Sequence, residues 1–197
     1  MMEEIKNKKL NKIINILLSF VIFLLLILFG LKINFTKVVV NGSSMHPTLI
    51  GNYEDGYEYG YTDRFIFKIT GLDRFDIVVI KRSSDELWIK RLIGMPNEKI
   101  QIKDGLVYIN DEVLVSDTYC DEVILDPGLA CVPIYLGEDE YFVMGDNRNH
   151  STDSRNSQLG IVNYKDIYGH SFISRGICKS VTCEFVESKH DYEVKGW

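Results

Sequence analysis

The sequence predicts a mainly β globular domain carried on one N-terminal transmembrane helix, with a small inserted β subdomain. Three observations predict it. Residues 13–31, IINILLSFVIFLLLILFGL, run for nineteen positions without a charge. Beyond them come short runs rich in β-branched and aromatic residues, stopped repeatedly by Gly, Asn or Asp. No second long apolar run follows, which disfavours a multi-spanning channel or transporter.

The apolar run is interrupted only by Asn15, Ser19 and Gly30, and as a helix it would extend about 28 Å, close to the hydrocarbon thickness of a bilayer. A cleaved secretory signal would have a shorter apolar core and a small-residue cleavage site, whereas the exit here reads LKINFTKVVV. An uncleaved anchor is therefore expected over 13–31, with a cleaved signal or a buried soluble helix as the competing possibilities. Lys6, Lys8, Lys9 and Lys12 outnumber Lys32 and Lys37 on the far side, which favours residues 1–12 as a cytoplasmic tail and residues 32–197 as an extracytoplasmic domain.

The formal net charge is −6; setting aside the four lysines and two glutamates of the first twelve residues leaves 18 basic and 26 acidic side chains from Lys32 onward. An acidic domain near −8 excludes the basic face of a nucleic-acid-binding protein.

In chain order, NFTKVVVNG predicts a strand ending in a turn at Asn41-Gly42, and Pro47 limits how SSMHPTL continues. Strands are expected in 75–82, 86–94, 98–110 and 140–146, with Asp104-Gly105 as the hairpin turn within 98–110. Residues 111–139 mix acids, prolines and two cysteines, so the subdomain is expected at roughly 100–139. Residues 145–160, GDNRNHSTDSRNSQLG, are too polar for core and mark a solvated or functional loop.

All four cysteines, Cys120, Cys131, Cys178 and Cys183, lie in the domain assigned outside, where disulfides are permitted. The simplest pairing is local, Cys120–Cys131 and Cys178–Cys183, with free thiols and a four-thiolate zinc site as alternatives; the spacings lack close Cys-x-x-Cys pairs.

For chemistry, Ser44 follows a predicted strand beside flexible backbone, a place where a hydroxyl can project while amide N–H groups face a developing oxyanion. Taken alone it reads as a turn serine. His46 or His150 with Asp146 or Asp153 could complete a Ser-His-acid triad, but no Gly-x-Ser-x-Gly elbow is present. A lysine base needs burial to shed its proton near neutral pH. Strand alternation puts Lys90 on one face with Trp88 and Leu92 and Arg91 on the other; the same pattern also allows Lys90 on a solvated face.

Four segments in order, GSSMHPTL (42–49), RFDIVVI (74–80), KRLIGMPNE (90–98) and MGDNRNHSTDSR (144–155), closely resemble the signature segments of bacterial type I signal peptidases. This is the serine–lysine class, in its single-anchor, Gram-positive-like form. The resemblance implies an endopeptidase that removes signal peptides from exported preproteins after a small-x-small site such as Ala-x-Ala, through an acyl-enzyme and without a metal or other cofactor. Ser44 stands at the family's nucleophile and Lys90 at its general base. Ser151 stands at the hydroxyl that orients the lysine amine. Asp153 and Arg155 stand at a supporting ion pair that Arg91 is near enough to join, and Gly145, Asp146 and Asn147 at the turn below it. The implied partners are membrane-inserted preproteins, the lipid bilayer and the secretion translocon, with no nucleic acid.

Some positions depart from the pattern. Gly42 replaces a serine whose hydroxyl donates to the oxyanion in some members, leaving that task to the Ser44 backbone N–H. Phe75 replaces a glycine, Asn97-Glu98 replaces Gly-Asp, and Asn149-His150 replaces Asp-Asn. The substrate pocket is expected beside Ser44 and along Ile77, Val78 and Tyr141 to Met144, and Phe65, Ile66 and Phe67 either dip into the membrane interface or form a buried strand. Competing functions are a noncatalytic secretion accessory, a membrane-tethered self-cleaving regulator, for which the tail is too short to hold a sensory module, and a plain extracellular binding domain.

Overall fold

The computed structural model describes residues 2–53, 56–82, 86–120 and 122–178. The chain divides into two compact units, Met1–Thr36 and Lys37–Trp197. The first is a single helix, α1 (Met2–Asn34). It is longer than the nineteen-residue apolar run because the lysine-rich tail joins it, and its stretch Asn7–Asn34 is long and apolar enough to serve as a single-pass membrane anchor.

The second unit is built on two antiparallel sheets. Its strands are β1 (Phe35–Val39), β2 (Asn52–Tyr53), β3 (Gly56–Asp63), β4 (Ile77–Lys81), β5 (Leu87–Gly94), β6 (Lys99–Lys103), β7 (Leu106–Ile109), β8 (Glu112–Val113), β9 (Ile134–Tyr135), β10 (Glu140–Met144), β11 (Val162–Asn163) and β12 (Ile167–Cys178). The large sheet runs β1-β3-β12-β4-β5-β10-β11 with β2 beside β3, and the small sheet runs β8-β7-β6-β9. All four expected strand segments are present. The turn at Asp104-Gly105 has φ of 53° and 75°, the double left-handed geometry of a tight hairpin, and it closes Lys103 on Leu106.

The strands read so clearly because Val, Ile and aromatic side chains recur on buried faces. Ile100, Ile102, Val107 and Ile109 of the small sheet pack into one cluster with Ile93, Phe142 and Met144 of the large one, so the inserted sheet shares the main core. Val78, Ile80, Leu92, Val143 and Ile167 form a second cluster. A third joins Val38, Val40, Met45 and Leu49 to Val79 and Ile89, seating the segment around Ser44 on the sheet.

Phe65 to Phe67 form no strand. Asp63 accepts from the N–H groups of Phe65, Ile66 and Phe67 at 2.9, 2.7 and 2.9 Å and starts a single helical turn, α2 (Phe67–Thr70), in which Phe67 is buried while Phe65 and Ile66 are exposed. Cys120 and Cys131 carry free thiols, and Cys120 instead contacts the backbone of Glu122. The pairing of Cys178 with Cys183 falls outside the described residues.

Candidate active site

Ser44 lies on the loop between β1 and β2. Gly42 takes φ of +90° there, and Gly51 comes so close that a Cβ on it would meet the Gly42 carbonyl oxygen at 1.9 Å. The loop thus closes on itself through two glycines. Met45 and Leu49 pin it to the core, and Leu49 N–H donates to Met45 O at 2.9 Å. Among the described residues the Ser44 N–H has no acceptor.

Lys90 sits in the middle of β5, where it pairs with Val78 of β4. It is only 5% exposed, which settles the ambiguity of the strand pattern in favour of burial. Its Nζ is 2.8 Å from Ser44 Oγ, also donates to Ile89 O at 3.0 Å, and lies 5.6 Å over the Trp88 ring. Burial pushes the amine down from the ordinary lysine value to about 8, although Asp153 and Asp146 pull the other way. An amine of that kind is neutral in a useful fraction of molecules near neutral pH, and its lone pair then faces the serine hydroxyl. His46 is exposed, and among the described residues Ser44 Oγ is hydrogen-bonded to Lys90 and not to a histidine; His150 is exposed on the rim of the groove above.

A turn after β10 buttresses the pair. The register that sets Met144 opposite Arg91 delivers Asp146 to the arginine: Nε to Oδ1 is 2.7 Å and Nη2 to Oδ2 is 2.5 Å, with both side chains out of solvent. Arg91 also donates to Phe75 O at 2.8 Å and to Thr48 Oγ1 at 3.3 Å, and stacks on Tyr119 at 3.5 Å. The resemblance led us to expect Arg91 at the Asp153–Arg155 pair; instead Asp146 takes the Nε–Nη2 edge of its guanidinium and Phe75 O takes Nη1. Asp153 instead holds Arg155 through both carboxylate oxygens at 2.8 Å and accepts from Gly145 N–H at 3.0 Å.

Gly145 has no room for a side chain. A Cβ there would meet Ser44 O and Ser151 Oγ, each at 2.3 Å, so the two serines converge on this glycine. Asn147 completes the contact, its N–H donating to Ser44 O and its amide nitrogen to Ser43 O, both at 3.1 Å. Among the described residues the buried Ser151 hydroxyl has no hydrogen-bond partner.

A groove of about 360 Å³ opens over Ser44 and Lys90. Its walls are Val39 and Val40 on one side and Leu87, Trp88 and Ile89 on the other, with His150, Thr152 and Gln158 contributed by the polar loop. The expected lining by Ile77, Val78 and Tyr141 to Met144 is not what forms: Val78 and Phe142 to Met144 are wholly buried in the core beneath, and β1 and β5 supply the walls instead.

Sequence reasoning missed two supports. Arg148 is buried in an ion pair with Asp117, at 2.7 Å, and donates to Gly145 O at 3.0 Å. The Arg in Gly-Asp-Asn-Arg was a signal for one partner; nothing in the surroundings of Asp117 marks the other. Among the described residues no group of three or more His, Cys, Asp or Glu side chains could hold a metal ion.

Residues 13–174 match the family described as signal peptidase, peptidase S26. The chain belongs to that family. Its activity is endopeptidase cleavage of signal peptides, and its substrates are membrane-embedded preproteins. Among the relatives of this signal peptidase, signal peptidase I P of Bacillus subtilis subsp. natto is 36% identical over 177 residues, 86% of this chain and 91% of that protein. Signal peptidase I of Bacillus licheniformis is 34% identical over 179 residues, covering 87% and 92%. A crystal structure of a signal peptidase I from Enterococcus faecalis V583 aligns at 30% identity with a TM-score of 0.41, covering 50% of this chain and 94% of that one.

Proposed function

We propose that this signal peptidase cuts preproteins by serine–lysine catalysis, with Ser44 as nucleophile and Lys90 as general base. The observation that carries the reading is the 2.8 Å contact between Lys90 Nζ and Ser44 Oγ at a buried, proton-shedding lysine. Neutral Lys90 takes the hydroxyl proton as Ser44 Oγ attacks the scissile carbonyl, then passes it to the leaving amine; water activated by the same amine hydrolyses the ester. The Ser44 N–H is the backbone donor to the oxyanion, since Gly42 offers no side-chain hydroxyl. Ser151 orients the lysine amine. Asp153, Arg155 and Arg91 hold the frame around it.

The groove favours an extended substrate with small side chains. Apolar walls formed by two strands suit an extended peptide with apolar side chains, hydrogen-bonded through its backbone, which fits cleavage after Ala-x-Ala-like sites. Residues 1–12 form the cytoplasmic tail, 13–31 the anchor and 32–197 the extracytoplasmic protease domain, an orientation supported by the four lysines ahead of the apolar run. Held at the membrane, the protease meets signal peptides as they leave the translocon, which converts a search in three dimensions into one over the bilayer surface.

The test is cleavage of a preprotein with an Ala-x-Ala site by detergent-solubilised protein, with product termini read by mass spectrometry. The wild type cuts after the site and folded Ser44→Ala and Lys90→Ala do not. Full activity of Lys90→Ala would overturn the base assignment and make His150 the next residue to test.

A further inference from the structure

Residues 40–51 form the twelve-residue loop between β1 and β2, and one residue of the neighbouring strand holds it near both ends, by its backbone carbonyl at one and its side chain at the other. Glu58 lies in β3 and is 7% exposed. Its carbonyl accepts from Val40 N–H at 2.8 Å, where the chain enters the loop. Its carboxylate Oε2 accepts from Ile50 N–H at 2.6 Å, where the chain leaves. Ser44 lies between these two bonds, and the Gly42–Gly51 contact closes the loop beside them. Among the described residues β2 pairs with β3 at Asn52–Tyr57 and Tyr53–Gly56, and the backbone ladder does not reach Ile50. The glutamate side chain supplies the missing rung.

We infer that Glu58 is a positioning residue for the signal-peptide reaction, a clamp whose carbonyl and carboxylate fix the span of the Ser44 loop and so the aim of the serine hydroxyl at Lys90. This rests on the serine–lysine reading above. Without the carboxylate the Ile50 main-chain N–H loses its acceptor, and the outgoing limb is released to find another. Gly51 packs on Gly42 with no room for a side chain between them, so the two limbs of the loop hold their places against each other only while the outgoing limb is kept in, and Ser44 lies two residues beyond Gly42. A shift of about 1 Å at a reacting atom can cost on the order of a hundredfold in rate. The requirement is for an acceptor at a fixed reach. Its charge is secondary, because the partner is a single neutral N–H.

The experiment measures kcat and KM for a preprotein with the full-length chain in detergent, for the wild type and Glu58→Gln, Glu58→Asp and Glu58→Leu, each with a thermal melt. Glu58→Gln keeps an oxygen acceptor at the same reach and is expected within about threefold of wild type. Glu58→Asp and Glu58→Leu are expected to lose about tenfold to a hundredfold in kcat with little change in KM. A folded Glu58→Leu with wild-type kcat overturns the clamp, and so does a loss in Glu58→Gln as large as in Glu58→Leu. If Glu58→Leu does not fold, the contrast between Gln and Asp decides. Ser44→Ala and Lys90→Ala run alongside separate the two readings: if they remain active the serine–lysine assignment has failed, whereas if they are dead and Glu58→Leu is fully active only the clamp has.

Discussion

Arg91 and Asp146 meet through two parallel hydrogen bonds, at 2.7 and 2.5 Å, with neither side chain in contact with solvent. Each is next in sequence to a residue of the proposed site, Arg91 to Lys90 and Asp146 to Gly145. The pair therefore ties the strand that presents the lysine to the turn whose Asn147 N–H donates to the Ser44 carbonyl. Breaking one side of a buried ion pair strands the other charge, which typically costs about 3–5 kcal/mol.

Asp146→Asn is accordingly expected to lower stability by about 3–5 kcal/mol and to reduce activity with it. Arg91→Lys is expected to lose activity as well, because an ammonium cannot reach Asp146, Phe75 O and Thr48 from one plane. The double replacement Arg91→Met with Asp146→Leu should regain much of the stability and none of the rate. Denaturant titration and preprotein cleavage on the same samples check it; a double variant that recovers both would show that the pair is only packing.

Gly145→Ala is expected to reduce kcat by about a hundredfold while leaving the Arg91–Asp146 pair in place. The added methyl would stand 2.3 Å from Ser44 O and from Ser151 Oγ, so the serines must separate. Steady-state kinetics with a thermal melt test it: near-normal kcat in a folded Gly145→Ala would mean that the turn moves freely relative to Ser44.

Ser151→Ala separates orientation from stability. The Ser151 hydroxyl is buried without a partner among the described residues, so removing it should leave the melting temperature within about 2 °C of wild type or raise it. If the hydroxyl orients Lys90 during turnover, kcat falls by about tenfold or more, as for other groups assisting proton transfer. Unchanged kcat would reduce Ser151 to a filler of the turn.

The strands were legible because their burial follows the chemistry of the residues themselves, as in Ile100, Ile102, Val107 and Ile109 around the Asp104-Gly105 turn. Two departures from the family pattern also make sense in backbone terms. Phe75 and Asn97 stand at positions of usual glycines and take φ of 74° and 65°, so the turns keep a left-handed geometry that a side chain must tolerate. Phe75 is compensated by its ring, which packs on Tyr119 at 5.5 Å. What could not be read was any relation that depends on register or on distant loops. Arg91 finds Asp146 because Met144 pairs with Arg91, and Arg148 finds Asp117 across 31 residues. The groove walls come from β1 and β5, which are separated in the large sheet by β3, β12 and β4.

The burial of Lys90 also makes a prediction about stability and pH. Unfolded, the amine keeps its proton up to about 10.5; folded, only up to about 8. Below pH 8 both states are charged and the folded state bears the whole cost of burying an ammonium, about 3 kcal/mol from the gap between the two values. Between about pH 8 and 10.5 the unfolded chain binds the extra proton, so this group's contribution makes the fold more stable as pH rises. Lys90→Met, of similar volume and without charge, is therefore expected to stabilise the domain at pH 7 and to show a much smaller gain at pH 10. Denaturant melts of both proteins at the two pH values isolate this term from other titrating groups. A gain that is equal at pH 7 and pH 10 would mean that Lys90 keeps an ordinary lysine value in the folded protein, and the proposed base would then lack the one property that lets it work near neutral pH.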